Sequence, residues 1–239
     1  MLTLYSMPSS GNSYKVRLLL AFLGLPYAHI GGEYGSGLTD SAEFRALNPA
    51  GKLPLLKLED GRLIAESNAI LLYLAEKFGA FLPTDPAKRT ECLNWLFWQM
   101  GSAPFLGGGF GHFYAYAPVK YEYPINRYAM EVKRQLDVLN RHLADRDWMV
   151  GGEYTLADMA IWPWYGALVT NKVYEAAEFI EAHTYKNVLR WTEQIRQRPA
   201  VERGRKVNRA WGKPSSQLWE RHDASDFELR TLDKLQGEQ

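Results

Sequence analysis

The residues with the clearest chemical potential form a serine-rich turn near the N-terminus. Residues 9–13 read Ser-Ser-Gly-Asn-Ser and lie between a predicted strand and the start of a predicted helix. Free backbone N–H groups and the positive end of the helix dipole favour an anion at such a point. A hydroxyl such as that of Ser10 can donate a hydrogen bond to a bound thiolate there. The alternative is that one of these serines only caps the helix, and the two roles are compatible.

A second segment, residues 48–54, reads Asn-Pro-Ala-Gly-Lys-Leu-Pro. The Leu53–Pro54 pair precedes a predicted strand and is a possible cis peptide bond. Such a bond would turn the backbone amide and carbonyl of Leu53 toward a ligand, in the manner of an added strand. A trans proline in an edge strand is the alternative, and the sequence does not decide between them.

A third segment is Glu66-Ser67, at the start of another predicted helix. Free amides again point at an anion there, Ser67 adds a hydroxyl, and Glu66 can pair with a ligand amino group. The alternative is a plain capped helix. Taken together, three such junctions in one small domain favour a peptide-like anionic ligand.

The first 80 residues predict the α/β unit that would position these segments, with the element order β-α-β-α-β-β-α. An apolar helical periodicity over residues 16–23 ends at Gly24, a typical C-terminal stop. Asp40 with Glu43 predicts the start of a short helix. Two extended runs flank Asp60-Gly61, which predicts a hairpin.

The predicted secondary structure changes from mixed α/β to helical after two closely spaced prolines, Pro83 and Pro86, which predict a linker. Beyond them, Thr155 and Asp158 resemble a capping box with Asp in place of Glu. Helical periodicity predicts four long helices, over residues 88–100, 121–145, 156–170 and 186–198.

Composition excludes several classes of protein. The chain has 239 residues, 46% of them hydrophobic, and a net charge of +1, which argues against a dedicated nucleic-acid binder. The single cysteine, Cys92, excludes an internal disulfide framework, and the five histidines include no i,i+4 pair, so no metal site is expected. The longest apolar stretches fall short of the roughly 18 residues that suggest a membrane span. With no targeting segment recognised, a cytoplasmic location is the expectation.

These segments resemble the glutathione S-transferase family. The pattern is Ser-Gly-Asn at residues 10–12, the run at residues 48–54 and Glu-Ser at residues 66–67, followed by an all-helical half. A longer similarity points to the bacterial nu-class, YghU-like subgroup of glutathione-dependent disulfide-bond oxidoreductases. It covers residues 71–79, 94–98, 101–114, 157–164 and 220–227.

The resemblance implies a thioredoxin-like, glutathione-binding domain over residues 1–80. A helical transferase C-terminal domain would cover residues 87–210, and a C-terminal extension would cover residues 211–239. It further implies a homodimer that uses glutathione as cosubstrate, without a metal, to attack a small electrophile or disulfide. A non-catalytic glutathione-binding or scaffold module is the alternative.

The same resemblance assigns roles to residues of the predicted binding segments. Leu53 would supply backbone hydrogen bonds to the cysteinyl part of glutathione beside cis Pro54. Glu66 and Ser67 would hold the γ-glutamyl group, and Lys52 would hold the glycyl carboxylate.

Two candidates for thiol activation stay open. Ser10 aligns with the activating serine of serine-type members. The subgroup has Thr-Pro-Asn-Gly at this loop, so Asn12 is the second candidate. Arg127 aligns with an arginine that the subgroup places near a second glutathione, and one or two glutathiones per subunit are both open.

The glycine-rich run at residues 107–111 lacks the preceding strand that a phosphate-binding loop needs. We interpret it as close backbone packing or as a cleft wall. His112, Tyr114 and Tyr116 are candidates for an electrophile pocket, with an aromatic core or a dimer contact as the alternative. Cys92 is expected to be a small buried hydrophobe.

Overall fold

The computed structural model of the protein describes residues 1–32 and 36–206. Contacts between these residues divide them into two compact units, one formed by Met1–Ala80 with the described residues from Arg196 onward and the other by Phe81–Ile195. The C-terminal extension predicted for residues 211–239 lies outside the described residues, as does the family similarity at residues 220–227.

The first unit contains a four-stranded mixed sheet in the order β2-β1-β3-β4. Strand β1 is parallel to β2 and antiparallel to β3, and β3 is antiparallel to β4. The strands are β1 Leu2–Ser6, β2 Tyr27–Gly31, β3 Leu55–Lys57 and β4 Leu63–Ala65. The hairpin predicted at Asp60-Gly61 is therefore confirmed, with Gly61 at φ 88°, a backbone angle that favours glycine.

Among the described residues, four helices accompany this sheet: α1 Gly11–Leu23, α2 Ala42–Leu47, α3 Ser67–Phe78 and α8 Pro199–Lys206. The predicted order β-α-β-α-β-β-α is confirmed, and Gly24 ends α1 in the left-handed conformation. The start predicted for α2 is wrong by one residue. Ser41 caps that helix, accepting from the Phe44 amide at 3.1 Å, because Asp40 closes a preceding 3₁₀ turn.

The core of the first unit lies between the sheet and its helices. Leu4 of β1, Leu19 of α1 and Leu71 of α3 are completely buried. Helix α8 packs on α1, where the Tyr14 hydroxyl donates to the carbonyl oxygen of Val201 at 3.0 Å. Helix α1 begins at Gly11, shortly after β1, so its N-terminus lies near the edge of the sheet where β1 ends.

The second unit is helical, and the four predicted helices are confirmed as α4 Pro86–Pro104, α5 Glu122–His142, α6 Leu156–Val169 and α7 Lys186–Arg196. The fold class expected from the sequence, a thioredoxin-like domain followed by a helical domain, is thereby confirmed. An element that was not predicted follows α4: residues Phe105–Tyr116 form a π-helix, and the Ala117 amide donates to the His112 carbonyl at 2.7 Å.

The predicted capping box at the start of α6 is present. Asp158 is fully buried, and its Oδ1 accepts from the Met149 amide at 2.9 Å and from Trp191 Nε1 at 2.8 Å. Its Oδ2 accepts from the Thr155 amide at 3.0 Å. Burial raises the pKa of Asp158 to about 6, against these donors, which favour the ionised form. The residue thus ties α6 to the preceding loop and to α7.

Candidate functional site

The register of the sheet brings the three predicted binding segments to one edge. Tyr5, Leu55 and Ala65 lie side by side on β1, β3 and β4. The serine-rich turn follows β1, the Leu53–Pro54 pair precedes β3, and Glu66-Ser67 follows β4. Because β3 runs antiparallel to both neighbours, its beginning meets their ends at this edge. The structure therefore places side by side three segments that are far apart in the sequence.

The serine-rich turn is held in place by side chains of α1. Ser10 caps the helix, and its Oγ accepts from the Ser13 amide at 3.4 Å. The Ser13 hydroxyl in turn accepts from the Met7 amide at 3.0 Å, and Arg17 Nη2 donates to the Pro8 carbonyl at 2.8 Å. The capping role considered for this turn is therefore real. A hydroxyl that accepts from a helix amide still has its own hydrogen to donate.

Both candidates for thiol activation lie at the same helix end. Ser10 is the N-cap of α1, and Asn12 is in the first turn, with both side chains half-buried. No acidic residue occupies this first turn. The positive end of the dipole is therefore not neutralised by a carboxylate within the turn.

The turn before β3 is built around a buried asparagine. Asn48 Nδ2 donates to the Lys52 carbonyl at 2.8 Å, and the Gly51 amide donates to the Asn48 carbonyl at 2.9 Å. Gly51 has φ 61°, and a Cβ there would lie 3.2 Å from the Thr39 carbonyl oxygen. The turn leaves the Lys52 side chain exposed at the edge of the sheet.

The peptide bond between Leu53 and Pro54 is cis, the conformation that the sequence analysis left open. Pro54 is buried and Leu53 is half-buried. Leu53 comes before the paired residues of β3, which begin at Leu55. Its backbone amide and carbonyl are therefore not used by the ladder of the sheet.

The start of α3 has an unusual backbone. Glu66, the residue before the helix, has φ 66° and ψ 117°, a region that non-glycine residues rarely adopt. Residues held in this way cost roughly 1–3 kcal/mol and concentrate at ligand-binding sites. The Glu66 side chain is exposed and makes no capping hydrogen bond, whereas Ser67 is buried. This geometry presents a carboxylate and a hydroxyl at the N-terminus of α3.

Sequence reasoning missed a buried lysine that links the two helix starts. Lys15 of α1 is fully buried, and its Nζ lies 3.3 Å from Ser67 Oγ and 3.1 Å from Asn68 Oδ1. Burial lowers the pKa of Lys15 to about 7, and the Glu66 carboxylate partly opposes this shift. A signal was available, since Lys15 lies three and four residues before apolar positions that face the core.

Arg127, the candidate contact to a second glutathione, belongs to the other compact unit. It is exposed on α5, one turn before Glu131. Hydrogen bonding by Arg134 lowers the pKa of Glu131, and Arg127 adds a smaller electrostatic contribution. Arg127 therefore stays a candidate contact to an anionic ligand.

The glycine run is explained by close packing. A Cβ on Gly109 would lie 2.4 Å from the Tyr128 ring, and one on Gly111 would lie 2.4 Å from the Tyr174 ring. Tyr114 stacks on Phe110 with ring centroids 5.0 Å apart, within an aromatic cluster of this unit. The packing interpretation of this run is confirmed at these two glycines.

Neither a metal centre nor a membrane span is found in the part of the chain that the structure describes. Within residues 1–32 and 36–206, no three His, Cys, Asp or Glu side chains are grouped so as to hold a metal ion. Over the same residues, every helix is too short or too polar to cross a membrane.

The architecture, a thioredoxin-like sheet unit followed by a helical unit, matches one family at both ends of the chain. A model of the glutathione S-transferase N-terminal domain matches residues 4–84, and a model of the C-terminal domain matches residues 122–194. The chain is 54% identical to the disulfide-bond oxidoreductase YghU of Escherichia coli K12, over 99% of this chain and 85% of that protein. The chain therefore belongs to the glutathione S-transferase family.

Two solved structures are also similar. A glutathione transferase YghU from Streptococcus pneumoniae, complexed with glutathione, has a TM-score of 0.84 and 47% identity, over 92% of this chain and 85% of that one. A glutathione transferase from Pseudomonas putida, with one glutathione disulfide bound per subunit, has a TM-score of 0.79 and 39% identity, over 86% and 90%. The resemblance inferred from the sequence, including its subgroup, is confirmed by these matches.

Proposed function

We propose that this chain is an enzyme that binds glutathione at the shared edge of β1, β3 and β4 and uses its thiolate to reduce small disulfides. The observation that carries the proposal is the register at Tyr5, Leu55 and Ala65, which gathers the three binding segments at one edge. The similar proteins, a disulfide-bond oxidoreductase and a glutathione transferase, support an enzyme of this kind.

Each end of the tripeptide has a matching group at this edge. The unused backbone of Leu53 would pair with the cysteinyl residue, as a strand edge pairs with an extended peptide. Glu66 would hold the γ-glutamyl amino group, and Ser67 with the first amides of α3 would hold the adjoining carboxylate. The exposed ammonium of Lys52 would pair with the glycyl carboxylate. This orientation directs the sulfur toward Ser10 and Asn12.

The turn at the start of α1 has enough donors to stabilise a thiolate. A thiol has an ordinary pKa of about 8.5, and lowering it by two units requires about 2.7 kcal/mol. A hydrogen bond to a charged group supplies about 1.5–3 kcal/mol, and a helix N-terminus adds about 0.3–1 kcal/mol. One hydroxyl or amide donor with one helix end is therefore sufficient, without a metal or a general base.

Two successive exchange steps reduce the disulfide. The bound thiolate attacks one sulfur of the substrate, the S–S bond breaks, and a substrate thiolate leaves and takes up a proton. A second glutathione, deprotonated, attacks the glutathione sulfur of the mixed disulfide and releases the other substrate thiol. Two glutathiones are oxidised to one glutathione disulfide while one disulfide is reduced to two thiols. We assign Arg127 to the second glutathione.

The proposal extends to the domain limits, the oligomeric state and the cellular location of the protein. We keep domain limits of residues 1–80, 87–210 and 211–239 as the division by family, whereas the contacts group α8 with the first unit. The chain is expected to act as a homodimer. A cytoplasmic location is supported by Cys92, the single cysteine, which is free and buried, so that no internal disulfide is needed. Conjugation of a small electrophile by the same thiolate is the second candidate activity.

Calorimetry and turnover together test this function. We expect titration with glutathione to give two sites per chain, and we expect glutathione-dependent reduction of hydroxyethyl disulfide. Arg127→Ala should weaken one of the two sites about tenfold, the loss expected for one charge-assisted contact. Arg141→Ala, exposed near the end of the same helix, is the matched control and should change neither site. Binding without turnover of a disulfide or of chlorodinitrobenzene would instead support the scaffold alternative.

A further inference from the structure

The buried lysine has a defined effect on its two neighbours. Below pH 7 the Lys15 amine is mostly the ammonium form, which has only donors, so Ser67 Oγ and Asn68 Oδ1, at 3.3 and 3.1 Å from Lys15 Nζ, then both act as acceptors. The hydroxyl hydrogen of Ser67 is then directed away from the lysine. The same constraint fixes the amide of Asn68, with its oxygen toward Lys15 and its nitrogen on the opposite side.

These two side chains lie in the first turn of α3, where the backbone amides also favour an anion. A hydroxyl that accepts from a cation becomes a better donor through its own hydrogen, because hydrogen bonds in a chain polarise one another. Without the Lys15 donor, Ser67 Oγ and Asn68 Oδ1 would no longer be held away from an approaching carboxylate, which acceptor oxygens repel.

We propose that Lys15 is a positioning residue that orients Ser67 and Asn68 as hydrogen-bond donors for the α-carboxylate of a γ-glutamyl ligand at the start of α3. This inference rests on the proposed function and deepens it, since it assigns the recognition of one carboxylate to a side chain that is itself buried. Lys15 acts through its neighbours and makes no contact with the ligand.

The test compares two ligands that differ only in that carboxylate. S-methylglutathione has a blocked thiol, so its binding is independent of thiol ionisation. Its analogue with a 4-aminobutanoyl group in place of the γ-glutamyl group keeps the amine and lacks the carboxylate. Calorimetry with each ligand measures how much of the affinity depends on that carboxylate.

Lys15→Met is the main variant, because methionine has a volume similar to that of lysine and removes the charge and the hydrogen-bond donors together. We expect it to weaken the binding of S-methylglutathione about tenfold or more, since two oriented donors to a charged group are lost. The same variant should change the affinity for the carboxylate-free analogue by less than about twofold. Lys57→Met, on the exposed side of β3 and away from the site edge, is the matched control and should change neither affinity.

Equal weakening of both ligands by Lys15→Met would mean general disruption of the unit and would overturn the inference, as would no change in either affinity. If the methionine variant does not fold, Lys15→Gln, which stays polar, should give the same ligand-selective loss. Failure of the unmutated protein to bind S-methylglutathione would overturn the proposed function itself. The two failures are therefore distinguishable.

Discussion

Replacement of Asp158 by alanine should remove much of the stability of the helical unit. Three buried N–H groups would lose their acceptor: those of Met149, Thr155 and Trp191. A buried donor without a partner costs about 1–3 kcal/mol, so for three donors we expect a loss of about 3–9 kcal/mol in the free energy of unfolding. Since small domains have about 5–15 kcal/mol in total, such a loss is a large fraction.

Urea unfolding followed by tryptophan fluorescence measures this loss, and Trp191, whose indole donates to Asp158, is one of the eight tryptophans that contribute to the signal. The matched control is Asp137→Ala. Asp137 is exposed on α5 and paired with Arg141, an arrangement worth about 0–1 kcal/mol. If Asp158→Ala cost no more than Asp137→Ala, the carboxylate would not organise the start of α6, and this part of the reasoning would be refuted.

The raised pKa of the Asp158 carboxyl should make the free energy of unfolding depend on pH. Its pKa is raised to about 6 in the folded chain and returns to about 4 on unfolding. Between these values the folded state binds more protons, so this group's contribution to stability is complete below pH 4 and declines as pH rises to about 6. The decline amounts to about 2–3 kcal/mol. The difference in unfolding free energy between the unmutated protein and Asp158→Asn should follow this curve, and a difference independent of pH would contradict it.

Two further predictions concern local backbone and packing. Gly109→Ala should destabilise the protein by about 1–3 kcal/mol, because its Cβ would lie 2.4 Å from the Tyr128 ring. Gly108→Ala, with open space around its Cβ, should not, and equal melting temperatures of the two variants would refute the packing argument. Glu66→Gly should be about 1 kcal/mol more stable than Glu66→Ala, because glycine tolerates φ 66°. Both should lose the same affinity for glutathione, and a glycine variant no more stable than the alanine one would show that this backbone is unstrained.

Local signals in the sequence predicted most of the fold. Gly24 stops α1 and Gly61 turns the hairpin because left-handed backbone at these two positions favours glycine. The error at Asp40 arose because Ser and Asp are both good caps, and only the 3₁₀ turn before α2 decides which of them is used. The π-helix was missed because a few widened turns within an apolar, glycine-rich run leave no distinct periodicity.

The sequence predicted the segments of the candidate site but not how the fold brings them together. Each segment, such as Leu53–Pro54 or Glu66-Ser67, could be recognised by its residue types. Their convergence depends on the pairing of Leu55 with both neighbouring strands, which is a tertiary property. Lys15 was overlooked because a lysine at a helix start normally reaches solvent, and only the packing of α1 against α3 buries it.

Titration of the bound glutathione thiol tests the central claim most directly, namely that the turn at the start of α1 stabilises a thiolate. Ultraviolet absorbance of the complex as a function of pH gives the pKa of that thiol. We expect a value about two units below that of free glutathione, rising by about one unit or more in Ser10→Ala, with Ser9→Ala as the matched control that leaves it unchanged. An unchanged pKa in Ser10→Ala would transfer the role to Asn12. A thiol pKa that equals that of free glutathione, or that stays low in both Ser10→Ala and Asn12→Ala, would contradict the account.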